Sequence, residues 1–325
     1  MAEKVGLQME AQYEIAVEVP FRLDLTVSVL RRLSTNIVDV LTVEGDYVRA
    51  LSQDHEPVVA RVTQERPDAL TITFEGGAPG PGGHDRALAT VQRMLGVERD
   101  LSRFDRAARA IPWLAPLVVR MRGVKPPRYP TLWEACVNAV LFQQLSLIAA
   151  SSISRRMIMA LGPPVQWRGI ALHLFPTVES FQDASDDVLR AAGLSATKLV
   201  TLRRVADALR SGALDEAALE ALPSPDAAAL LCRIKGIGPW TATVILLRGL
   251  GRLDVFPMND SSVARNLAFV AGSNPLDVDQ VLTALGTQRG MLYYHLLLSR
   301  LEARGDLGRA ARLSKSKLDN IVHST

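Results

Sequence analysis

Leu231-Cys-Arg-Ile-Lys-Gly-Ile-Gly-Pro-Trp-Thr-Ala-Thr-Val-Ile-Leu-Leu-Arg-Gly-Leu250 is the stretch whose reading decides the fold. Apolar residues recur at helical spacing from Asp226 to Ile234 and again from Pro239 onward, where proline suits a first helical turn because its missing N–H would have been unpaired in any case. Between the two helices, Gly236 and Gly238 predict a turn too tight for side chains. The first N–H groups of the second helix then point outward. With the helix dipole they form an anion site that suits a phosphate and reads no base. Lys235, Gly236, Ile237, Gly238 and Thr241 are the candidate phosphate-binding residues, with Lys235 adding charge beside the backbone donors. A glycine pair alone describes a plain helix–turn–helix connection equally well, so the case depends on its surroundings.

Those surroundings are helical. From Asp85 onward the chain is rich in Ala, Leu and Arg with apolar residues at 3 to 4 spacing, interrupted by prolines such as Pro126, Pro163, Pro164, Pro223 and Pro257 where helices break. Residues 13–76 differ. Tyr13–Val19, Ile37–Val43, Val58–Val62 and Leu70–Phe74 are short β-prone runs bounded by turn residues, and Gly76–Gly83 forms a loop. The expected architecture is an α+β antiparallel-sheet domain over residues 1–105, followed by an all-α region over 106–325. That region is large enough for two lobes and a cleft. The last residues, Ser314–Thr325, read as loosely held.

Composition narrows the function classes. With 48% hydrophobic and 22% charged residues the chain is globular. It lacks an apolar run of membrane length and a basic-then-apolar leader, so a cytoplasmic, nucleoid-associated location without membrane contact is expected. Only Cys136 and Cys232 occur, neither at metal-ligand spacing, which argues against structural zinc or an iron–sulfur cluster. Residues 1–100 hold 10 Lys and Arg against 16 Asp and Glu, whereas the remainder holds 27 against 18. A basic second part fits a polyanion partner, though chance imbalance on solvated faces explains it as well.

The hairpin followed by Asp254-Val-Phe-Pro-Met-Asn-Asp260 resembles the helix-hairpin-helix, glycine/proline-rich loop, aspartate signature of a DNA glycosylase superfamily. Over nearly its whole length the chain is similar to the DNA-3-methyladenine glycosylase II family. Arg128-Tyr-Pro-Thr-Leu-Trp-Glu134, Ala139-Val-Leu-Phe-Gln-Gln-Leu-Ser146, Phe175-Pro-Thr and Gly193-Leu-Ser-Ala-Thr-Lys198 carry the similarity. The resemblance implies that Asp260 is catalytic, with Asp254 and Asn259 structural, and that the partner is double-stranded DNA with alkylated bases, bound by a monomer. It implies that Leu145, after Gln144, wedges into the duplex where the base was. It also implies a monovalent cation, Na+ or K+, held by the carbonyls of Cys232, Ile234 and Ile237, with no other cofactor. Family members that also cleave the backbone carry lysine at the position of Trp240, so hydrolysis without a Schiff base is expected.

Chemistry agrees with these roles without proving them. Breaking a glycosidic bond builds positive charge on the sugar, which one carboxylate can stabilise, yet Asp260 at the start of an expected helix over Asp260–Val270 also reads as an N-cap. Trp240 would attract a cationic alkylated base through its indole face, or pack in the core. Leu145 by pattern alone reads as core. Where the family often has aromatic pocket residues this chain has Ser261, Val244 and Gln288 or Arg289. Arg289 beside a cationic base would be unfavourable, and either Tyr293 or Tyr294 could compensate. A non-catalytic damage-binding protein, and a glycosylase for oxidised or mismatched bases, are the competing readings.

Overall fold

Strand alternation builds the N-terminal unit. The computed structural model describes residues 10–53, 56–77, 84–258 and 260–308, with Ser261 described in its backbone alone. The expectations for Asn259, for the Ser261 side chain, for 78–83 of the loop and for Ser314–Thr325 therefore lie outside the described residues. Strands β1 (Glu10–Ala16), β2 (Val40–Leu41), β3 (Tyr47–Gln53), β4 (Glu56–Arg66) and β5 (Ala69–Gly76) form one sheet in the order β1-β5-β4-β3-β2, every pair antiparallel. Leu70, Ile72 and Phe74 on β5 and Val58, Ala60 and Val62 on β4 point to one face. There they pack against α1 (Leu23–Arg31) and α2 (Asp85–Leu95).

The remaining helices are α3 (Ser102–Arg109), α4 (Ala115–Arg120), α5 (Leu132–Leu141), α6 (Leu147–Leu161), α7 (Val178–Asp183), α8 (Asp186–Ala191) and α9 (Ala196–Arg210). They continue with α10 (Glu216–Ala221), α11 (Ser224–Cys232), α12 (Pro239–Arg248), α13 (Ser261–Ala271), α14 (Val278–Leu285) and α15 (Gly290–Ala303). Their starts are written in the sequence. Thr131, Ser146, Thr177, Ser185, Ser195, Asp215 and Asp277 each accept the backbone N–H three residues on, satisfying a donor the helix leaves orphaned.

Two helical cores result. One gathers Cys136 and Val140 of α5, Leu202 and Val205 of α9, and Ile245 and Leu246 of α12. The other gathers Phe104, Leu117, Leu267, Leu282, Met291 and Leu298, and takes in Leu247 from the next position of α12. Helix α12 thus stands between the lobes. The second lobe is assembled from segments far apart in sequence, and it also receives Leu25 and Val29 of α1. No helix among the described residues is long and apolar enough to cross a membrane.

Three expectations need correction. Residue 105 falls inside α3, so the change of architecture lies between α2 and α3 rather than at 105/106. The region expected to be all-α contains a hairpin, β6 (Pro164–Trp167) and β7 (Ile170–His173). Arg168 and Gly169 join its strands at φ +45 and +82, the two positive values of a tight hairpin turn. Its Trp167 and Leu172 cover Val48, Ala50 and Val59 on the second face of the sheet, so Pro163 and Pro164 marked a strand entry, not only a helix end. Finally, β3 is a central strand where none was expected. Burial on both faces erases the alternation that would have revealed it.

Candidate active site in the cleft between the lobes

Helix α11 ends at Cys232, and the chain turns through Ile234–Gly238 with the Ile237 N–H donating to Ile234 O at 2.9 Å. Gly236 has φ +107, and a Cβ there would lie 2.0 Å from Thr201 Oγ1 on α9, so conformation and space both demand glycine. Gly238 is different from the expectation. It caps α12 at φ −95, and nothing lies within 4 Å of a Cβ built on it. The crowding expected of both glycines belongs to Gly236; the space over Gly238 is open. Pro239 occupies the first turn of α12, and the N–H groups of Trp240 and Thr241 have no acceptor among the described residues. Lys235 is exposed beside them. Ile237 is buried in the first core, so only its backbone is offered to a ligand. Thr241 can offer a ligand only its backbone N–H: the residue is 2% exposed, and its Oγ1 accepts from Gln143 Nε2 at 2.7 Å.

That glutamine joins the hairpin to the opposite loop. Gln143 Nε2 also donates to Gly236 O at 3.1 Å. The loop it belongs to, Phe142–Ser146, links α5 to α6 with Gln144 at φ +56. Beneath it, Lys198 Nζ donates to the carbonyls of Val140, Leu141 and Gln143 at 2.7, 2.9 and 2.8 Å. This satisfies the last carbonyls of α5. Burial lowers the Lys198 ammonium to about 8. Leu145 is half-buried, lines the cleft and joins no hydrophobic core, which removes the reading of it as a core leucine. Gln144 is exposed beside it.

Across the cleft, Asp260 caps α13. Its Oδ1 accepts from the N–H groups of Ser262 at 2.7 Å and Val263 at 3.1 Å, and its Oδ2 accepts from Trp240 Nε1 at 2.8 Å. The N-cap reading of Asp260 holds, and the same residue lines the cleft. Trp240 is half-buried, packs on the first core and lines the cleft, so neither of its two readings excludes the other. Asp254, expected to be structural, is exposed and makes no hydrogen bond among the described residues.

The cleft measures about 1190 Å³ and holds Asp260, Trp240, Leu145, Gly238 and Tyr293 in its walls. The positions where aromatic residues were expected fall in different places. Val244 is buried at the cleft wall. Gln288 and Arg289 are outside it: Gln288 accepts from Phe104 N–H and donates to Asp100 O, while Arg289 Nε donates to Gly286 O. The feared arginine is thus not in the pocket. Tyr293 faces the cleft, whereas Tyr294 is buried with its hydroxyl donating to Leu247 O at 3.0 Å.

Residues 137–286 match the model of the HhH-GPD superfamily of base excision DNA repair proteins. Over those residues the chain is similar to that superfamily. The chain is 28% identical over 184 residues to a Bacillus subtilis DNA-3-methyladenine glycosylase, covering 57% of this chain and 61% of that protein. It is 34% identical over 177 residues to a Mycobacterium tuberculosis protein described as a probable bifunctional transcriptional activator/DNA repair enzyme, covering 54% of this chain and 34% of that one. The chain thus spans less than two thirds of either relative. Among solved structures, the 3-methyladenine DNA glycosylase of Archaeoglobus fulgidus shares the fold at TM-score 0.73 and 23% identity, covering 90% of this chain and 99% of that one. The Schizosaccharomyces pombe 3-methyladenine DNA glycosylase in complex with abasic DNA matches at TM-score 0.50 and 25% identity, over 62% of this chain and 97% of that one.

The sequence reading missed Gln143, which ties the Phe142–Ser146 loop to the hairpin, Lys198, which holds that loop and the end of α5 from beneath, and Arg32. The last lies at the end of α1, outside the matched residues, yet it lines the cleft with its guanidinium 3.8 Å above the Phe142 ring. Nothing in the charge pattern around Arg31-Arg32 distinguishes it from a surface pair.

Proposed function

We propose that the protein is a monofunctional DNA glycosylase of base excision repair that extrudes an alkylated base from duplex DNA and hydrolyses its N-glycosidic bond. The observation that carries the proposal is the Asp260–Trp240 hydrogen bond. It ties the carboxylate to the first turn of the hairpin helix in the wall of the cleft that Leu145 also lines.

Each step has a residue to perform it. The free N–H groups at the start of α12 take a phosphate, and the open space over Gly238 lets the strand approach. Leu145 enters the stack from a loop fixed by Lys198 and Gln143, offsetting part of the unstacking cost of a few kcal/mol. The extruded nucleotide lies between that loop and Asp260. As the bond to the base lengthens, the sugar gains positive charge, which the carboxylate stabilises while it positions or deprotonates water. No lysine lines the cleft among the described residues, which supports water as the nucleophile. Of the three carbonyls expected to hold a cation, those of Cys232 and Ile237 accept no hydrogen bond among the described residues, and that of Ile234 accepts from the Ile237 N–H. This fits a monovalent cation at the hairpin, where it would add positive charge facing a phosphate.

An abasic-site assay on methylated duplex DNA tests the proposal. Asp260→Asn should lower base release about 10²–10³-fold, the size of losing one preorganised electrostatic contact, while duplex binding persists. Undiminished release by that variant would sink the mechanism, and binding without release by the wild type would favour a non-catalytic damage-binding protein.

A further inference from the structure

Four guanidinium groups and one carboxylate line the cleft among the described residues: Arg32, Arg265, Arg300 and Arg304 against Asp260. Arg32 is buried, whereas the other three are exposed and belong to one wall. Arg265 and Phe269 stand four residues apart on α13, and Arg300 and Arg304 stand four apart at the end of α15, so each pair shares a helix face. Acceptors of the protein's own neutralise this wall only in part. Arg265 Nη2 donates to Ser262 Oγ at 3.4 Å, and Arg304 Nε donates to Asp306 Oδ2 at 2.9 Å. Arg300 has no hydrogen bond or ion pair among the described residues. Phe269, on the same wall, is 59% exposed. A lone exposed phenylalanine is ordinary on a protein surface. This one lies in a concave wall that also carries three arginines, the combination of ring face and positive charge that suits unpaired nucleotides.

We infer that the α13–α15 wall is a single-strand contact: Phe269 stacks on the base of the nucleotide next to the extruded one, and Arg300 pairs with its phosphate. This rests on the glycosylase reading above and deepens it by adding lesions in unpaired DNA to the substrates. Two arguments exclude a paired duplex as the occupant of this wall. In a duplex each base is covered on both faces by its neighbours, so a ring on a helix wall meets a base face only after that base has unstacked. The space agrees. Clefts that take one drug-sized ligand measure about 300–1,000 Å³, and this one, at about 1190 Å³, has room for a second nucleotide beside the extruded one. The hairpin needs only backbone phosphates, which paired and unpaired strands both offer, so one unpaired strand can satisfy both contacts.

Fluorescence anisotropy with the full chain tests this on an unmodified single-stranded oligonucleotide and on the same sequence as duplex. Phe269→Ala should weaken single-strand affinity about tenfold, the size of losing one stack between a base and a ring, and Phe269→Trp should restore it. Arg300→Ala should lower the slope of log affinity against log salt by about 0.7, the counterion release that accompanies one phosphate contact on a single strand. Both residues are exposed, so the variants should keep the wild-type melting temperature. Undamaged duplex, which meets the hairpin without entering the cleft, should bind each variant as it binds the wild type. In a parallel assay the wild type should release N7-methylguanine from the single strand no more slowly than from the duplex, because no pair has to be broken. Unchanged single-strand affinity and slope in the variants overturn the inference, and so does an equal loss on duplex and single strand. Release from duplex alone also overturns it and leaves the glycosylase reading standing. Release from neither substrate removes that reading, and the two binding results then decide the inference by themselves.

Discussion

The indole N–H of Trp240 is the shortest physical link between the part of the molecule that would hold DNA and the group that would act on it. Asp260 also receives two backbone N–H groups of its own helix, and these orient Oδ1 but leave the direction of Oδ2 to Trp240. Trp240→Phe keeps an aromatic face for stacking and removes only the donor. A hydrogen bond to a charged group contributes about 1.5–3 kcal/mol, so kcat should fall about 10–100-fold while KM for duplex DNA stays unchanged. A loss confined to KM would show that the ring is used for binding and the N–H is not. The sequence singled out both residues but not that they touch: twenty positions separate them, and no periodicity reports a contact made by a loop folding back. Arg32 was less legible still. Its place in the cleft wall depends on α1 packing into the second lobe, and nothing in Leu30-Arg-Arg-Leu33 declares that.

At the scale of the element, the hairpin was legible because glycine and proline act locally, through φ and a missing N–H, before any tertiary contact forms. Strand β3 and the β6–β7 hairpin were not, because each is defined by what covers it: β3 is buried on both faces, and β6–β7 is the cover. The two hairpin glycines look equivalent in sequence and are not equivalent in structure. Gly236→Ala must enter a left-handed backbone region against Thr201, so it should lower the melting temperature, and Thr201→Gly should restore part of the loss by clearing the nearest atoms. Gly238→Ala meets nothing within 4 Å and has an ordinary φ, so thermal stability should be unchanged. Its methyl projects where a phosphodiester strand would approach. Duplex affinity should therefore fall about tenfold or more in a fluorescence titration, and unaltered affinity would place the strand elsewhere.

Across the whole molecule, the sheet domain is fastened to the helical lobes by charge as well as by apolar packing. Arg49 on β3 donates to Asp39 in its own domain and to Glu134 on α5, and all three side chains are buried. Thr131 and Glu134 have the spacing of a capping box, but only the Thr131 half forms, since the Glu134 carboxylate is drawn to Arg49 instead of back to the helix start. Burial raises the Glu134 carboxyl to about 7; Arg49 opposes the rise, and the second carboxylate of Asp39 adds to it. Because the folded value lies above the ordinary 4.5, the native state binds this proton more tightly than the unfolded chain does. The contribution to stability is therefore present in full below about 4.5 and is lost as pH rises through about 7. Glu134→Gln is permanently neutral and lacks that dependence. Measured from pH 8 down to pH 5, the melting temperature of the wild type should gain on that of Glu134→Gln by a few degrees. If the wild type instead loses ground as the pH falls, Arg49 holds Glu134 ionised throughout, and the domains are joined by a permanent ion pair that responds to salt in preference to pH.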